Sequence, residues 1–339
     1  MERKRSPDHD FALMDLITSI QSNLLSPAVL FFCLGIFAAL TRSDLKFPEA
    51  LYNTLTIYLL TAIGFKGGVA VSEAGIGVVW LPAVAAMALG VMVPLWTFVI
   101  LRKAMGFSLS DAGALAAHYG SVSTVTFIAA TNFLRGIGQE HESYASALLV
   151  VMDSPAIIVG VILGKGLLGG ANVSGDAGVR DVLRNVVFGR GILLLVGALV
   201  IGCICGERGM GMVEAFFVTP FQGVLTLFLL EMGMVVGRRF SDLRRVGARI
   251  AIFGLFAPVA HGALGVLVGT LAGLSPGGAT LLGALAGSAS YIAAPAAVRL
   301  SLPDANPAYS LTAALGITFP FNVTIGIPFF FEIAKRLQP

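Results

Sequence analysis

Ten stretches of mostly apolar residues leave this chain one medium in which to fold. They run roughly from 24 to 40, 47 to 71, 78 to 101, 111 to 134, 143 to 164, 186 to 206, 215 to 237, 250 to 273, 277 to 300 and 308 to 334. A helix needs about 20 such residues to cross the hydrocarbon of a bilayer, where only helices and closed barrels satisfy their backbone groups. The runs do not alternate apolar with polar positions, as barrel strands would. The expected fold is therefore an all-α integral membrane protein of ten transmembrane helices. Charged residues make up only 12% of the chain, about half the share usual in soluble domains. The net charge of +3 is too small to predict a nucleic-acid partner. Cys33, Cys203 and Cys205 lie inside apolar runs without metal or redox spacing and read as packing residues.

The ten stretches divide into two fives. Gly120-Ser121-Val122-Ser123-Thr124 in the fourth is matched by Gly287-Ser288-Ala289-Ser290-Tyr291 in the ninth. LLTAIGFKGG (59 to 68) is matched by FLLEMGMVVG (228 to 237), and SPAIIVG (154 to 160) by FPFNVTIG (319 to 326). An odd number of spans per copy forces the second copy to cross in the opposite sense, giving inverted repeats of the kind found in secondary transporters. The expected organisation is an interfacial segment at 1–22, a first five-helix repeat at 23–165, a cytoplasmic linker at 166–185 and a second, inverted repeat at 186–339. In the first segment Phe11, Leu13, Met14, Ile17 and Ile20 suit a helix lying in the interface; Asp15 interrupts the apolar run a signal peptide would need. Seven of the Lys and Arg residues, among them Arg3, Arg135 and Lys335, fall on the side of the N-terminus; fourteen, among them Arg42, Arg102 and Arg299, fall on the other. By the positive-inside rule both termini are expected outside. Arg238, Arg239, Arg244, Arg245 and Arg249 form a basic cluster suited to orientation and to anionic lipid.

The fourth and ninth stretches are too polar and too rich in glycine for plain lipid-facing helices. Serines, a threonine and bare backbone in mid-membrane persist only where they line a cavity or are buried by protein. Helices 4 and 9 are therefore expected to be interrupted near the midplane, with half-helix N-termini facing each other. Such ends carry unpaired N–H groups and the positive end of the dipole, and favour an anion. The candidate substrate residues are Gly120, Ser121, Ser123, Thr124, Gly287, Ser288 and Ser290, and the hydroxyls of Ser123 and Ser290 could also hold sodium by their lone pairs. Small-residue packing of helices is the alternative use of the same pattern.

Ionisable residues inside spans each need an account. Asp153 precedes Ser154-Pro155, which reads either as the cap where one helix ends and another starts or as a cation ligand; Thr318, ahead of Pro320, is its counterpart in the second repeat. Glu231 either faces a cavity and couples transport to protons or snorkels to the interface. Lys66 either snorkels or attracts the anion. His261 reads as a packed histidine, and His118 lies two residues before the first Gly-Ser pair.

SPAVL (26 to 30), IGFKGGVAV (63 to 71), GSVST (120 to 124), VMDSPAIIV (151 to 159), APVAHG (257 to 262), GSASYIAAPAAVR (287 to 299), LPDANPAY (302 to 309) and GITFPFNVTIGIPFF (316 to 330) together resemble the sodium-dependent bicarbonate transporter family first known from cyanobacteria. The resemblance covers all ten stretches in order and marks the chain as a divergent member. It implies a core domain of segments 3, 4, 5, 8, 9 and 10 and a gate domain of segments 1, 2, 6 and 7, with bicarbonate and sodium between the interrupted helices. It also implies a homotrimer, control by a PII-like regulatory protein and residence in a bacterial inner membrane. Tyr291 stands where the cyanobacterial members carry an aspartate that resembles a sodium ligand, so the coupling ion stays open between sodium and the proton, with Asp153, Glu231, Tyr291 and Thr318 as candidates.

The expected function is a secondary transporter of bicarbonate or a similar small anion, cation-coupled and working by alternating access. The alternatives are a transport-inactive anion sensor with the same fold and a proton-coupled carboxylate symporter. No HExxH, paired DxxD or GxSxG motif supports an enzyme, and no cofactor is expected beyond a coupling Na+.

Overall fold

The computed structural model describes residues 25–166, 184, 188, 190–291 and 293–338. The expected interfacial segment 1–22 lies outside the described residues, as does nearly all of the linker 166–185. Everything regular among the described residues is helical: α1 (Pro27–Leu40), α2 (Glu49–Ala74), α3 (Ile76–Ala104), α4 (Leu109–Gly120), α5 (Thr124–Gly136), α6 (Ala145–Gly164), α7 (Arg190–Phe217), α8 (Phe221–Val246), α9 (Ala248–Leu271), α10 (Pro276–Ala286), α11 (Ala293–Ser301) and α12 (Pro307–Leu337). Seven of these contain stretches long and apolar enough to cross a membrane. Multi-pass insertion also accounts for the exposed Leu30, Leu34 and Phe37 on α1 and Trp80, Val84 and Met92 on α3, which lipid covers at no cost. Cys33 and Cys205 are exposed free thiols, not the packed residues expected from the sequence.

Capping chemistry sets where the helices begin, and it recurs at matching places in the two halves. Ser108 Oγ accepts from Asp111 N at the start of α4 (3.0 Å), and Ser275 Oγ accepts from Gly278 N at the start of α10 (3.1 Å). Each cap satisfies a backbone donor that the first helical turn leaves without a partner. Carboxylates reinforce both ends: Asp111 Oδ1 accepts from Asn306 N, and Glu142 accepts from Ser275 N and Oγ. The LPDANP stretch does its work in the same way, since Asn306 Oδ1 accepts from Ala308 N and Pro307 opens α12.

The helices pack in two sets. In one, α2 lies along α7 and α1 along α8; in the other, α3, α4 and α6 form a cluster, as do α9, α10 and α12. The first set is held by close backbone approach. A Cβ at Gly64 or Gly68 would overlap the carbonyl oxygen of Leu195 or Leu199 on α7, and one at Gly35 or Gly233 would overlap that of Leu230 or Phe32 across the α1–α8 contact. Gly64 and Gly68 are spaced as G-x-x-x-G, as are Gly233 and Gly237, the arrangement that lets membrane helices meet without side chains between them.

Single glycines join the two sets. Gly75, between α2 and α3, has φ 78° and ψ 149°; Gly247, between α8 and α9, has φ 84° and ψ 163°. Both conformations are ones that residues with a Cβ rarely adopt. Neither glycine has an atom within 4 Å of where a Cβ would stand, so backbone conformation alone demands glycine there.

Asp153 corrects one expectation. It does not cap a new helix: α6 runs unbroken from Ala145 to Gly164 with Pro155 inside it. Membrane helices tolerate an internal proline because neighbouring groups take up the freed backbone partner.

Candidate functional site

Between α4 and α5 the chain leaves the helix at Ser121, Val122 and Ser123; between α10 and α11 it leaves it from Gly287 to Tyr291. The two non-helical stretches bond directly to each other. Ser290 N donates to the His118 carbonyl (2.7 Å), and Ser123 N donates to Ser288 Oγ (2.8 Å). Past each interruption a serine tends the new helix: Ser123 Oγ accepts from Thr126 N, and Ser290 Oγ accepts from Ala294 N. The N-termini of α5 and α11 therefore meet at one place, and both present the positive end of a helix dipole.

A cavity of about 20 Å³ lies there, lined by Val122, Ser123, Thr124, Asp153, Ser290, Tyr291 and Ala293 on one side and by Leu60 of α2 and Leu195 of α7 on the other. That is space for about one water-sized sphere. The cavity sits where the two packing sets meet.

Of the seven candidate substrate residues, Ser123, Thr124 and Ser290 line this cavity. Ser121 and Ser288 instead tie the interruptions together, Ser121 Oγ donating to Asp153 Oδ1 and Ser288 Oγ to the Leu285 carbonyl. Gly120 and Gly287 sit where a side chain would press on Pro94 and on the Pro258 carbonyl. Asp153 is buried and lines the cavity. Its Oδ1 accepts from Ser121 and, at 3.3 Å, from Val122 N; Oδ2 has no protein donor among the described residues. The Tyr291 hydroxyl is buried near Ser123 yet makes no hydrogen bond of ordinary geometry.

The other candidates lie elsewhere. Thr318 donates to the Gly254 carbonyl and pairs with the Tyr119 hydroxyl, both at 2.7 Å. Glu231 is buried in α8 outside the cavity lining, with Oε2 lacking a partner among the described residues. His261 accepts from Trp96 Nε1 at 2.9 Å and links α3 to α9, the packed role expected of it.

Sequence reading missed Asn322. It is fully buried in α12 and its Nδ2 donates to the Gly287 carbonyl (2.8 Å) at the second interruption, as Asp153 serves the first from α6. The signal was present: the 169-residue offset that aligns LLTAIGFKGG with FLLEMGMVVG carries Asp153 onto Asn322, one helical turn beyond Thr318. Replacing Asn322 by leucine strands a buried carbonyl and is expected to cost about 1–3 kcal/mol, read as a lowered thermal midpoint of the purified protein. Among the described residues no three His, Cys, Asp or Glu side chains group as a metal site.

A family model described as the Na+-dependent bicarbonate transporter superfamily matches residues 27–335. No curated protein matches the chain.

Proposed function

The chain belongs to the Na+-dependent bicarbonate transporter superfamily, a family of transporters and not of enzymes, and we propose that it carries bicarbonate or a similarly small oxyanion across the membrane by alternating access. The observation that carries this reading is the meeting of two helix N-termini at one small polar cavity between two sets of helices, about one water in size as it stands and widened to admit the anion as the sets part. Backbone N–H groups and dipoles there attract an anion, and the Tyr291 hydroxyl is a buried donor that an oxyanion would satisfy.

A cation is coupled through Asp153. Its carboxylate shares the cavity with Ser123, Thr124 and Ser290, an all-oxygen set with one negative charge, which is what a hard cation requires. Asp153 thus supplies the charge that Tyr291 does not. A proton on Asp153 is the alternative coupling, and the same uptake experiment separates the two. The ten spans form inverted five-helix repeats, supported by the matched caps of α4 and α10, the matched interruptions and the crosswise α1–α8 and α2–α7 contacts. The set containing α1, α2, α7 and α8 acts as the gate and the remainder as the core that moves against it.

The deciding experiment is uptake of radiolabelled bicarbonate into proteoliposomes under an inward sodium gradient, an inward proton gradient, or neither. Uptake driven by sodium supports the reading; no uptake under any condition, with the protein folded and inserted, removes it.

Gly75 and Gly247 are the joints of this movement. Gly75→Ala with Gly247→Ala should slow uptake several-fold while binding is retained, because each Cβ adds about 1–3 kcal/mol of backbone strain and no steric clash. Unchanged turnover in the double variant would show that the joints do not bend.

A further inference from the structure

One helical turn beyond the small cavity, on the side to which α5 runs, lies a much larger one of about 340 Å³. Leu60 lines the inner cavity and Ile63 the outer; Thr124 lines the inner and Phe127 the outer. Its walls are largely apolar, with Phe127, Ile128, Met210 and Phe221 among them. Two cations face it from opposite helix sets, Lys66 of α2 and Arg135 of α5. Lys66 Nζ stands 5.4 Å from the centre of the Phe221 ring, and neither cation has a carboxylate within salt-bridge distance among the described residues. Glu73 and His141 also face the space. Glu73 lies seven residues beyond Lys66, about 10 Å along the helix, and so sits nearer the mouth.

We propose that this outer cavity is a second anion site, separate from the one at the helix interruptions, that takes an amphipathic organic carboxylate. The carboxylate lies between Lys66 and Arg135, and a chain of about six to ten carbons lies against Phe127, Met210 and Phe221. A space of this size whose exposed surface is mostly apolar, with the hydroxyls of Thr131, Ser143 and Ser146 and the Gln222 amide beside the two cations, is of the kind that holds small organic ligands with a polar head. Bicarbonate has no apolar part to use those walls. Because Lys66 belongs to one helix set and Arg135 to the other, a ligand held by both ties the sets together and opposes their movement. Occupancy therefore inhibits transport, a consequence that rests on the transport reading above; the binding itself does not.

The test is saturable binding of radiolabelled octanoate to the full chain in phosphatidylcholine nanodiscs, corrected for empty nanodiscs. Binding is expected to weaken at least about tenfold, or 1.4 kcal/mol, in Lys66→Gln and in Arg135→Gln, and to survive in Arg135→Lys. Octan-1-ol, with the chain but no charge, should not displace octanoate. Arg135 is exposed, so its variants provide the readout should Lys66→Gln fail to fold. Absence of saturable binding, displacement by octanol as effective as by octanoate, or unchanged binding in both Gln variants would overturn the proposal. Bicarbonate uptake measured in parallel tells the two readings apart: uptake without octanoate binding sinks this site alone, whereas octanoate binding without any uptake upholds it and sinks the transport reading.

Discussion

Ser290→Leu is expected to abolish bicarbonate uptake, by about 100-fold or more, equivalent to about 2.7 kcal/mol, while the protein still inserts. Two effects combine at this position. The hydroxyl that accepts from Ala294 N at the start of α11 is lost, which for a helix cap costs about 1 kcal/mol. The larger side chain also fills a cavity with room for about one water-sized sphere, leaving no space beside the N-termini for the substrate to enter as the helix sets part. Ser290→Ala removes only the cap and should retain a measurable fraction of uptake, so the pair separates bulk from capping. Ser123→Leu is expected to behave as Ser290→Leu does, because Ser123 caps α5 and lines the same cavity from the other repeat. If Ser290→Leu transports at the unsubstituted rate, substrate does not pass through this cavity.

Gly68→Leu is expected to disrupt the protein itself. At Gly68 α2 approaches α7 so closely that a Cβ would overlap the Leu199 carbonyl oxygen and press on Cys203 N. Backbone atoms cannot rotate away as a side chain would, so the helices must separate, at a cost of about 3 kcal/mol, the upper end of the usual range for overpacking. The thermal midpoint should fall on the order of 5–10 °C, or the protein should not be recovered folded. Gly77→Leu is the control: it lies in α3 where a Cβ meets nothing within 4 Å, and a helix-favouring residue there should be tolerated. Equal stability of the two variants would mean that α2 and α7 do not pack by backbone contact.

Much of the candidate site's lining was legible in the sequence because membrane burial makes polar residues expensive. A hydroxyl or glycine cluster in mid-span must be used for something, and Ser123, Thr124, Ser290 and Asp153 were conspicuous for that reason. The division of labour among them was not legible. Ser121 and Ser288 have the same chemistry as Ser123 and Ser290, and only the crossing of the two interruptions decides that the first pair bonds to protein alone while the second, besides capping its helices, also lines the cavity. Thr318 and Asn322 present the same difficulty along one helix, where a single turn places Thr318 against Tyr119 and Asn322 against Gly287.

The sequence by itself determined the solvent, the helical class and the places where spans must break, since these follow from hydropathy and from the cost of unpaired polar groups in lipid, both of which are local. Tertiary structure alone decided which N-termini meet, that Asp153 sits within an unbroken helix, and that Lys66 and Arg135, 69 positions apart, face one cavity. Those outcomes depend on how close two backbones can approach, and that distance is set jointly by residues far apart in the chain.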